Sequence, residues 1–479
     1  MHTLSLIALP FIILTALSSS VLAAHENLSL EAFIEQVKSQ NQAVKGALTT
    51  VEGANLKEDE KNISTSWIGF ATYSYTKDAK PPTLPFFNFD FQNSGVFAVG
   101  VSKQTSFGLN TKLSYNVLNL AYQNFLSAGS LIPLQIQNYN NGLSLDLSQS
   151  LWSNAWGRGT RATVALQDSQ NHAILYQNRF GVRMALLDAE GSYWKLATMR
   201  QAVRLTRQNL ERSHKIYDWS ARRAKLQLAD RSDELQALAN LNARKLDLQR
   251  AIDDEKAASR NFNTLRGIQE NDVKDELITL TPNAVLEMKA SPRALMRDDV
   301  RAAFHQSQAA HAAAQTAIEK ETPLLDIFGT FGMNSRDAAL TTALNKSLSL
   351  DKPTGTIGVR FQSSLDFKTL GNSRAGYKKD QAAAEFNYER KVFEQDRAWS
   401  DLNERLDEAR QRLLLTRELE KIQKEKLERE RSRLEAGRST AFQVLAFETD
   451  FAVSELSTLQ TQSEVLGILT QMKLFGESL

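Results

Sequence analysis

The 479 residues of this chain include no cysteine. That absence excludes disulfides, thiolate catalysis, cysteine-ligated metal and a lipid-modified N-terminal cysteine. Charge of either sign is not in excess: 57 basic residues stand against 55 acidic ones, which leaves no electrostatic footprint for nucleic acid. Proline is absent between Pro133 and Pro282 and again after Pro353. Beyond the N-terminus, no apolar run reaches the ~18 residues of a membrane helix. Constellations that carry chemistry are missing too. The six histidines contain no HExxH and no pair at i,i+4, and no glycine-rich phosphate loop opens a helix. Asp253, Asp254 and Glu255 read as a solvated helix face. The expectation is a protein without catalytic residues, cofactor or metal, and not an enzyme.

What is present begins with an export signal. Leu4 to Leu17 is apolar, and Val21-Leu22-Ala23 supplies a cleavage pattern before Ala24. The preceding region has no Lys or Arg, only His2 and the terminal amine. A stretch of ~14 apolar residues is too short to span a bilayer. Residues 1–23 are read as a signal peptide.

Further on, Leu143, Leu145, Leu147 and Leu151 fall on one parity, with Ser144, Asp146, Ser148 and Ser150 on the other. That is a strand with one apolar and one polar face. Past Gly157 and Gly159 a polar, proline-free helical stretch follows directly. The same handover recurs. "LSQSLWSNAWGRGTRA" (147–162) aligns with "FQSSLDFKTLGNSRAG" (361–376) at an offset of 214, and "RAKLQLADRSDELQA" from Arg223 aligns with "RLEAGRSTAFQVLAF" from Arg433 at 210. "TSWIGFATYSY" at Thr65 resembles "TPLLDIFGTFG" at Thr322 at an offset of 257, so the first half carries extra residues between its strands.

Each half then runs helix, strand, connection, strand, long helix, turn, helix. The helices are expected at about 30–62, 160–226 and 234–266, then 293–321, 374–436 and 441–475. The organisation read from this is 24–66 as the first helix of repeat 1, 67–156 as its strands with an extracellular insert, and 157–268 as its helical hairpin. Residues 269–323 are a linker and the first helix of repeat 2, 324–370 its strands, and 371–479 its hairpin. Long helices of ~62–66 residues would measure ~95–100 Å at ~1.5 Å per residue, more than one globular core accommodates. "RELEKIQKEKLERERSRLE" (417–435) suits a solvated coiled coil with narrow apolar seams.

The strands alternate throughout: Ile357, Val359, Phe361 and Leu365; Leu325, Ile327, Gly329, Phe331 and Met333; and, in the insert, Phe107, Leu109, Leu113, Tyr115 and Val117, with "GVFAVGVSKQT" (95–105) as a hairpin partner. Apolar-out, polar-in strands of about ten residues mark transmembrane β-barrels; a half-buried sandwich looks the same locally. So few strands per chain cannot close a barrel, because small barrels need ~8 or more and an open edge cannot face lipid. Symmetric oligomerisation resolves this. Trp152 and Trp156 fit an interfacial aromatic girdle and equally fit burial at the strand–helix junction.

These residues resemble the TolC-like outer-membrane efflux proteins over essentially the whole mature chain. The most specific stretch is "RSRLEAGRSTAFQVLA" (431–446), similar to the family's hairpin at the tunnel tip. The junction "LSQSLWSNAWGRG" is also similar, with Ser150 where the family usually has proline. The resemblance implies an α+β membrane protein, a homotrimeric outer-membrane β-barrel continuous with a long periplasmic α-helical barrel and built on a two-fold internal repeat. It implies partnership with a periplasmic adaptor protein and an inner-membrane efflux pump or ABC exporter, contact with outer-membrane lipid, and none with nucleic acid. The function implied is a passive exit duct of a tripartite efflux or type I secretion system.

Carried over residue by residue, Gly437 matches the turn glycine and Leu445 the following leucine. Gln443 and Ala446 stand where well-known members are acidic, which puts cation preference in doubt. Arg438 and Ser439 occupy positions expected to make gate hydrogen bonds. In repeat 1, Gln227 replaces the turn glycine, so this turn is expected to be tighter or wound differently, while Asp233 keeps the matching acidic position. The periplasmic entrance is thus assigned to Arg438, Ser439, Gln443 and Asp233, and the adaptor-facing tips to Arg223, Leu226, Gln227, Arg433, Leu434 and Gly437. For each of these, solvated turn chemistry is the plainer alternative.

The rival reading is a soluble periplasmic coiled-coil adaptor, which would carry one helical hairpin between β-rich halves where this sequence has two in tandem. "PPTLPFFNFDFQ" (81–92) and "QNYNNG" (137–142) read as extracellular loops. The strands between them either widen the barrel from four to six strands per protomer or form an extracellular hairpin, and the apolar face from Phe107 to Val117 favours widening.

Overall fold

The structure, a computed structural model, describes residues 27–81, 89–125, 134–227 and 230–476; the expected signal peptide and residues 82–88 of the expected loop at 81–92 lie outside the described residues, and residues 91–92 of that loop are instead the start of a strand. Helices α1 (Leu30–Gln40) and α2 (Gln42–Leu56) are followed by a 3-10 turn at Glu58–Thr65. Strands β1 (Ile68–Asp78), β2 (Phe91–Gln104), β3 (Leu109–Phe125) and β4 (Leu134–Ser150) lead into helices α3 (Arg158–Lys225) and α4 (Arg231–Leu265). After the short α5 (Pro282–Glu287) come α6 (Asp298–Glu321), β5 (Leu324–Asp337), α7 (Leu340–Lys346) and β6 (Pro353–Gln362), then α8 (Phe367–Glu435) and α9 (Ala441–Met472). The chain divides into two compact units. One holds the residues up to Gln42 with Leu186–Lys289 and Leu406–Thr470; the other holds Ala43–Ala185, Ala290–Arg405 and Gln471–Leu479.

In the second unit, all six strands form one antiparallel sheet in the order β1-β2-β3-β4-β5-β6. The insert hairpin β2–β3 is therefore part of the sheet and not a separate crown. Residues 137–142, read as a loop from their polarity, instead lie within β4, where Asn140 pairs Leu118 and Arg336. Strands β1 to β5 are also longer than the ten residues expected, with β3 and β4 at 17 each. In β4 the stretch 137–142 is largely polar on both faces, which erases the alternation that marks a strand in sequence.

The strand-to-helix handover is built from left-handed backbone. Asn154, Trp156 and Gly157 have φ of 53°, 50° and 78°. The Asn154 side chain accepts from the Thr160 N–H at 2.8 Å, satisfying one of the free donors at the start of α3. Glu319, almost fully buried at the end of α6, accepts from the Asn154 N–H at 2.9 Å and pairs with Arg158 at 3.1 Å. Gly157 is required for space: a Cβ there would stand 2.0 Å from the Ser106 carbonyl oxygen.

In the first unit the single helix expected over 30–62 is broken at Asn41. Its extended backbone ends α1, and its side-chain amide donates to the Leu265 carbonyl at the end of α4, at 3.0 Å. The core there centres on Phe33 stacked on Phe262 at 4.1 Å, beside a fully buried Tyr193. The Tyr193 hydroxyl donates to the Leu28 carbonyl at 2.6 Å and accepts from the Ile278 N–H at 3.0 Å. Burial raises its pKa, because the phenolate would lose its hydration.

The two-faced sheet and the hairpin tips

Register decides which side chains share a face of the sheet. Leu113 stands beside Leu145, and Leu145 beside Phe331; Tyr115, Leu143 and Met333 form the next row, and Leu147, Gly329 and Ile357 another. The apolar parities of separate strands thus fall on one face. Residues of this face are exposed, reaching 80 % for Ile357, 68 % for Val359 and 63 % for Phe361. Its charged residues, Lys77, Lys103 and Asp337, stand at its ends. Lys77 lies over Phe91 at 4.1 Å and Lys103 over Trp67 at 5.3 Å. The other face carries Lys112 beside Asp146 and Arg336 beside Asn140, the latter pair bonded at 2.7 Å. A hollow of about 540 Å³ opens on that side, lined by Lys112, Asp146, Thr330 and Arg360 among others. Trp152 and Trp156 are exposed at the helix end of the sheet, as is Trp67 at the start of β1, so burial at the junction does not explain them.

The hairpin tips belong to the first unit. At the end of α8, the Gly437 N–H donates to the Leu434 carbonyl at 3.0 Å and the Arg438 N–H to the Arg433 carbonyl at 2.7 Å, with Gly437 at φ 72°. This is a Schellman cap, whose left-handed residue satisfies carbonyls that the helix leaves free. At Gln227 the sequence predicts a turn that is tighter or wound differently. Gln227 adopts the same left-handed backbone, φ 58°, and its N–H donates to the Ala224 carbonyl at 3.0 Å. Glutamine therefore carries a strain that glycine would avoid.

The residues assigned from sequence fall into two groups. Leu226, Gln227, Arg433, Gly437, Arg438 and Gln443 are exposed; Arg223 lies over Trp219 at 4.8 Å, and Asp233 sits half-buried in the first turn of α4. Leu434 instead packs against the core formed by Ile216, Ala237, Leu427, Val444, Leu445 and Phe451. Ser439 donates to the buried Glu430, which also pairs with Arg433 at 3.4 Å; this contact lies within one hairpin.

Sequence reading missed the polar cluster that joins the hairpins. Arg212 on α3 pairs with both Glu448 and Glu455 on α9, and Glu448, with no exposed surface, also accepts from Arg431 on α8 at 2.6 Å. Beside it, Thr449 accepts from Asn240 at 3.3 Å and from Arg244 at 3.2 Å. Burial lowers the Arg212 pKa, but its two carboxylate partners outweigh that and the net shift is upward. Burial raises Glu455, with Arg212 opposing and Glu420 and Glu448 adding to the rise. The only signal in the sequence was a carboxylate at Glu448 beside the apolar Val444, Leu445 and Phe451.

No protein-family model matches the chain, and no curated relative matches it by sequence. Solved structures do match in fold. The outer membrane protein VceC of Vibrio cholerae superposes with a TM-score of 0.65 at 16 % identity, covering 93 % of this chain and 96 % of that one. The Neisseria gonorrhoeae MtrE outer membrane channel, in its open state, gives 0.60 at 16 %, covering 93 % and 89 %. The Campylobacter jejuni CmeC outer membrane channel gives 0.59 at 14 %, covering 93 % and 85 %. At such identities the likeness is one of fold, and the fold is that of outer-membrane channels over nearly the full length.

Proposed function

We propose that this chain is one subunit of an outer-membrane channel: a passive exit duct through which a pump elsewhere drives export. The observation that carries this reading is the two-faced sheet running directly into a helix of 68 residues. Such a sheet offers lipid a face without central charge and offers water the other. A helix of that length, ~100 Å at ~1.5 Å per residue, carries the wall onward through an aqueous compartment, the periplasm.

The sheet has two open edges, β1 and β6, and hydrocarbon does not tolerate unpaired strand edges. An even number of alternating strands leaves β6 antiparallel to the β1 of a second copy, so copies close by one repeated contact. Three copies of six strands make eighteen, in the range of barrels that enclose an aqueous channel. The homotrimer draws support also from apolar side chains left exposed at helical spacing on α8: Leu415 at 66 %, Leu419 at 46 % and Ile422 at 54 %.

In this reading the hairpin tips are the periplasmic entrance and the docking surface for an adaptor protein, which links the duct to an inner-membrane efflux pump or ABC exporter. Arg438, Ser439, Gln443 and Asp233 surround the entrance; Arg223, Leu226, Gln227, Arg433 and Gly437 face the adaptor, with Leu434 supporting them from beneath. A tryptophan at Gly437 is expected to abolish export while trimer and outer-membrane levels stay unchanged.

Electron microscopy of the detergent-extracted protein tests the whole reading. Three-fold particles with a rod of roughly 100 Å below a detergent-covered end are expected. A monodisperse particle that needs no detergent would overturn it in favour of a soluble adaptor.

A further inference from the structure

We infer that the connection between β5 and β6 is a ledge that inserts its leucines into the outer leaflet of the bilayer. This rests on the reading of the sheet as a membrane wall. Its core is α7, whose small and polar residues face the sheet: Ala343 and Ser347 are fully buried, and the Ser347 hydroxyl bonds that of Tyr115 at 2.7 Å. The side turned away carries Leu340, Leu344, Leu348 and Leu350, exposed at 39, 38, 62 and 64 %. In water this arrangement is inside out, since a surface helix turns its leucines toward the core. It is the right way round where the surroundings are hydrocarbon.

The location fits the same occupant. Tyr115, Leu143 and Met333 form one row of the apolar face, and the next row beyond it turns polar at Asn141 and Ser335. Both of those side chains are buried, at 2 % and 7 % exposure. The ledge therefore covers the first polar groups above the apolar band and continues that band outward with its own leucines. Lys346 pairs with Asp337 at 3.4 Å, which tethers the ledge at headgroup level. A lipid surface satisfies the leucines by burial alone and needs no specific partner.

The absence of cysteine allows a direct test. The full chain, with a single cysteine at Leu348 or Leu350, is spin-labelled and reconstituted in phosphatidylethanolamine–phosphatidylglycerol vesicles. Accessibility is then measured to oxygen, which partitions into lipid, and to a nickel chelate, which stays in water. The references are labels at Ile357 on the apolar face and at Asn140 on the polar face. The expected result is an oxygen-to-nickel ratio at 348 and 350 several-fold above that at 140 and close to that at 357. A water-exposed ratio at 348 and 350 with a lipid-exposed 357 would overturn the ledge and leave the membrane reading standing. Labels reached by neither reagent would put a second copy over the leucines and overturn the ledge equally. A water-exposed 357 would overturn both.

Discussion

Arg212 and Glu448, 236 residues apart, form an ion pair between α3 and α9 around a carboxylate with no exposed surface. Removing the arginine leaves Glu448 to Arg431 alone and Glu455 without its cationic partner. Breaking a buried pair from one side costs about 3–5 kcal/mol. Arg212→Ala is therefore expected to destabilise the protein by that order in denaturant titration and to speed amide exchange at both hairpin tips. Glu455→Gln should cost much less, because burial already favours the protonated form of that group. Equal losses from the two substitutions would contradict this division of roles.

The two helical turns make opposite predictions from one backbone conformation. Gln227 and Gly437 both occupy the left-handed region, which costs a non-glycine residue roughly 1–2 kcal/mol. Gln227→Gly should stabilise the first hairpin by about 1 kcal/mol and Gly437→Ala should weaken the second by a similar amount. A Cβ at Gly437 meets nothing within 4 Å, so the loss is conformational and not steric. Protease resistance at each tip is the readout.

Gly157 is a stricter case. An added Cβ would lie 2.0 Å from the Ser106 carbonyl oxygen and 2.7 Å from Phe107 backbone atoms. Backbone cannot yield as a flexible side chain can. Gly157→Ala is expected to cost about 3 kcal/mol and to lower the melting temperature, whereas Gly181→Ala, in open space, should not lower it.

Acid should loosen the packing of α6 on α3. The His305 ring stacks on His172 at 5.0 Å and on Tyr176 at 5.4 Å. Burial lowers its pKa, His172 lowers it further, and Asp168 opposes. The unfolded chain then takes up this proton more readily than the folded one. Its contribution to stability is complete above the ordinary value of 6.5 and declines as pH falls below it. The melting temperature should drop between pH 7.5 and pH 5.5, and His305→Phe should flatten that drop.

The charge at the entrance predicts ion preference. Gln443 and Arg438 are both exposed, so among the residues assigned to the proposed entrance only Asp233 is a carboxylate that would concentrate cations. Gln443→Glu together with Arg438→Glu should move the reversal potential in planar bilayers toward cation selectivity. An unchanged potential would remove both residues from the entrance.

The sequence alone determined the period-two and helical stretches, the glycine at the second hairpin turn and the apolar parity of β3 to β6. These are local properties: a face meeting hydrocarbon or a core must repeat with the pitch of its own backbone. Tertiary structure decided what depends on distant partners. Asn41 ends a helix because the Leu265 carbonyl awaits its amide. Residues 137–142 are strand because β3 and β5 pair with them where both faces are polar. Leu434 is half-buried because the cluster of Val444 and Leu445 lies against it. Glu448 is buried because arginines from two other helices reach it, and a charged side chain goes into the interior only when such partners arrive from elsewhere in the chain.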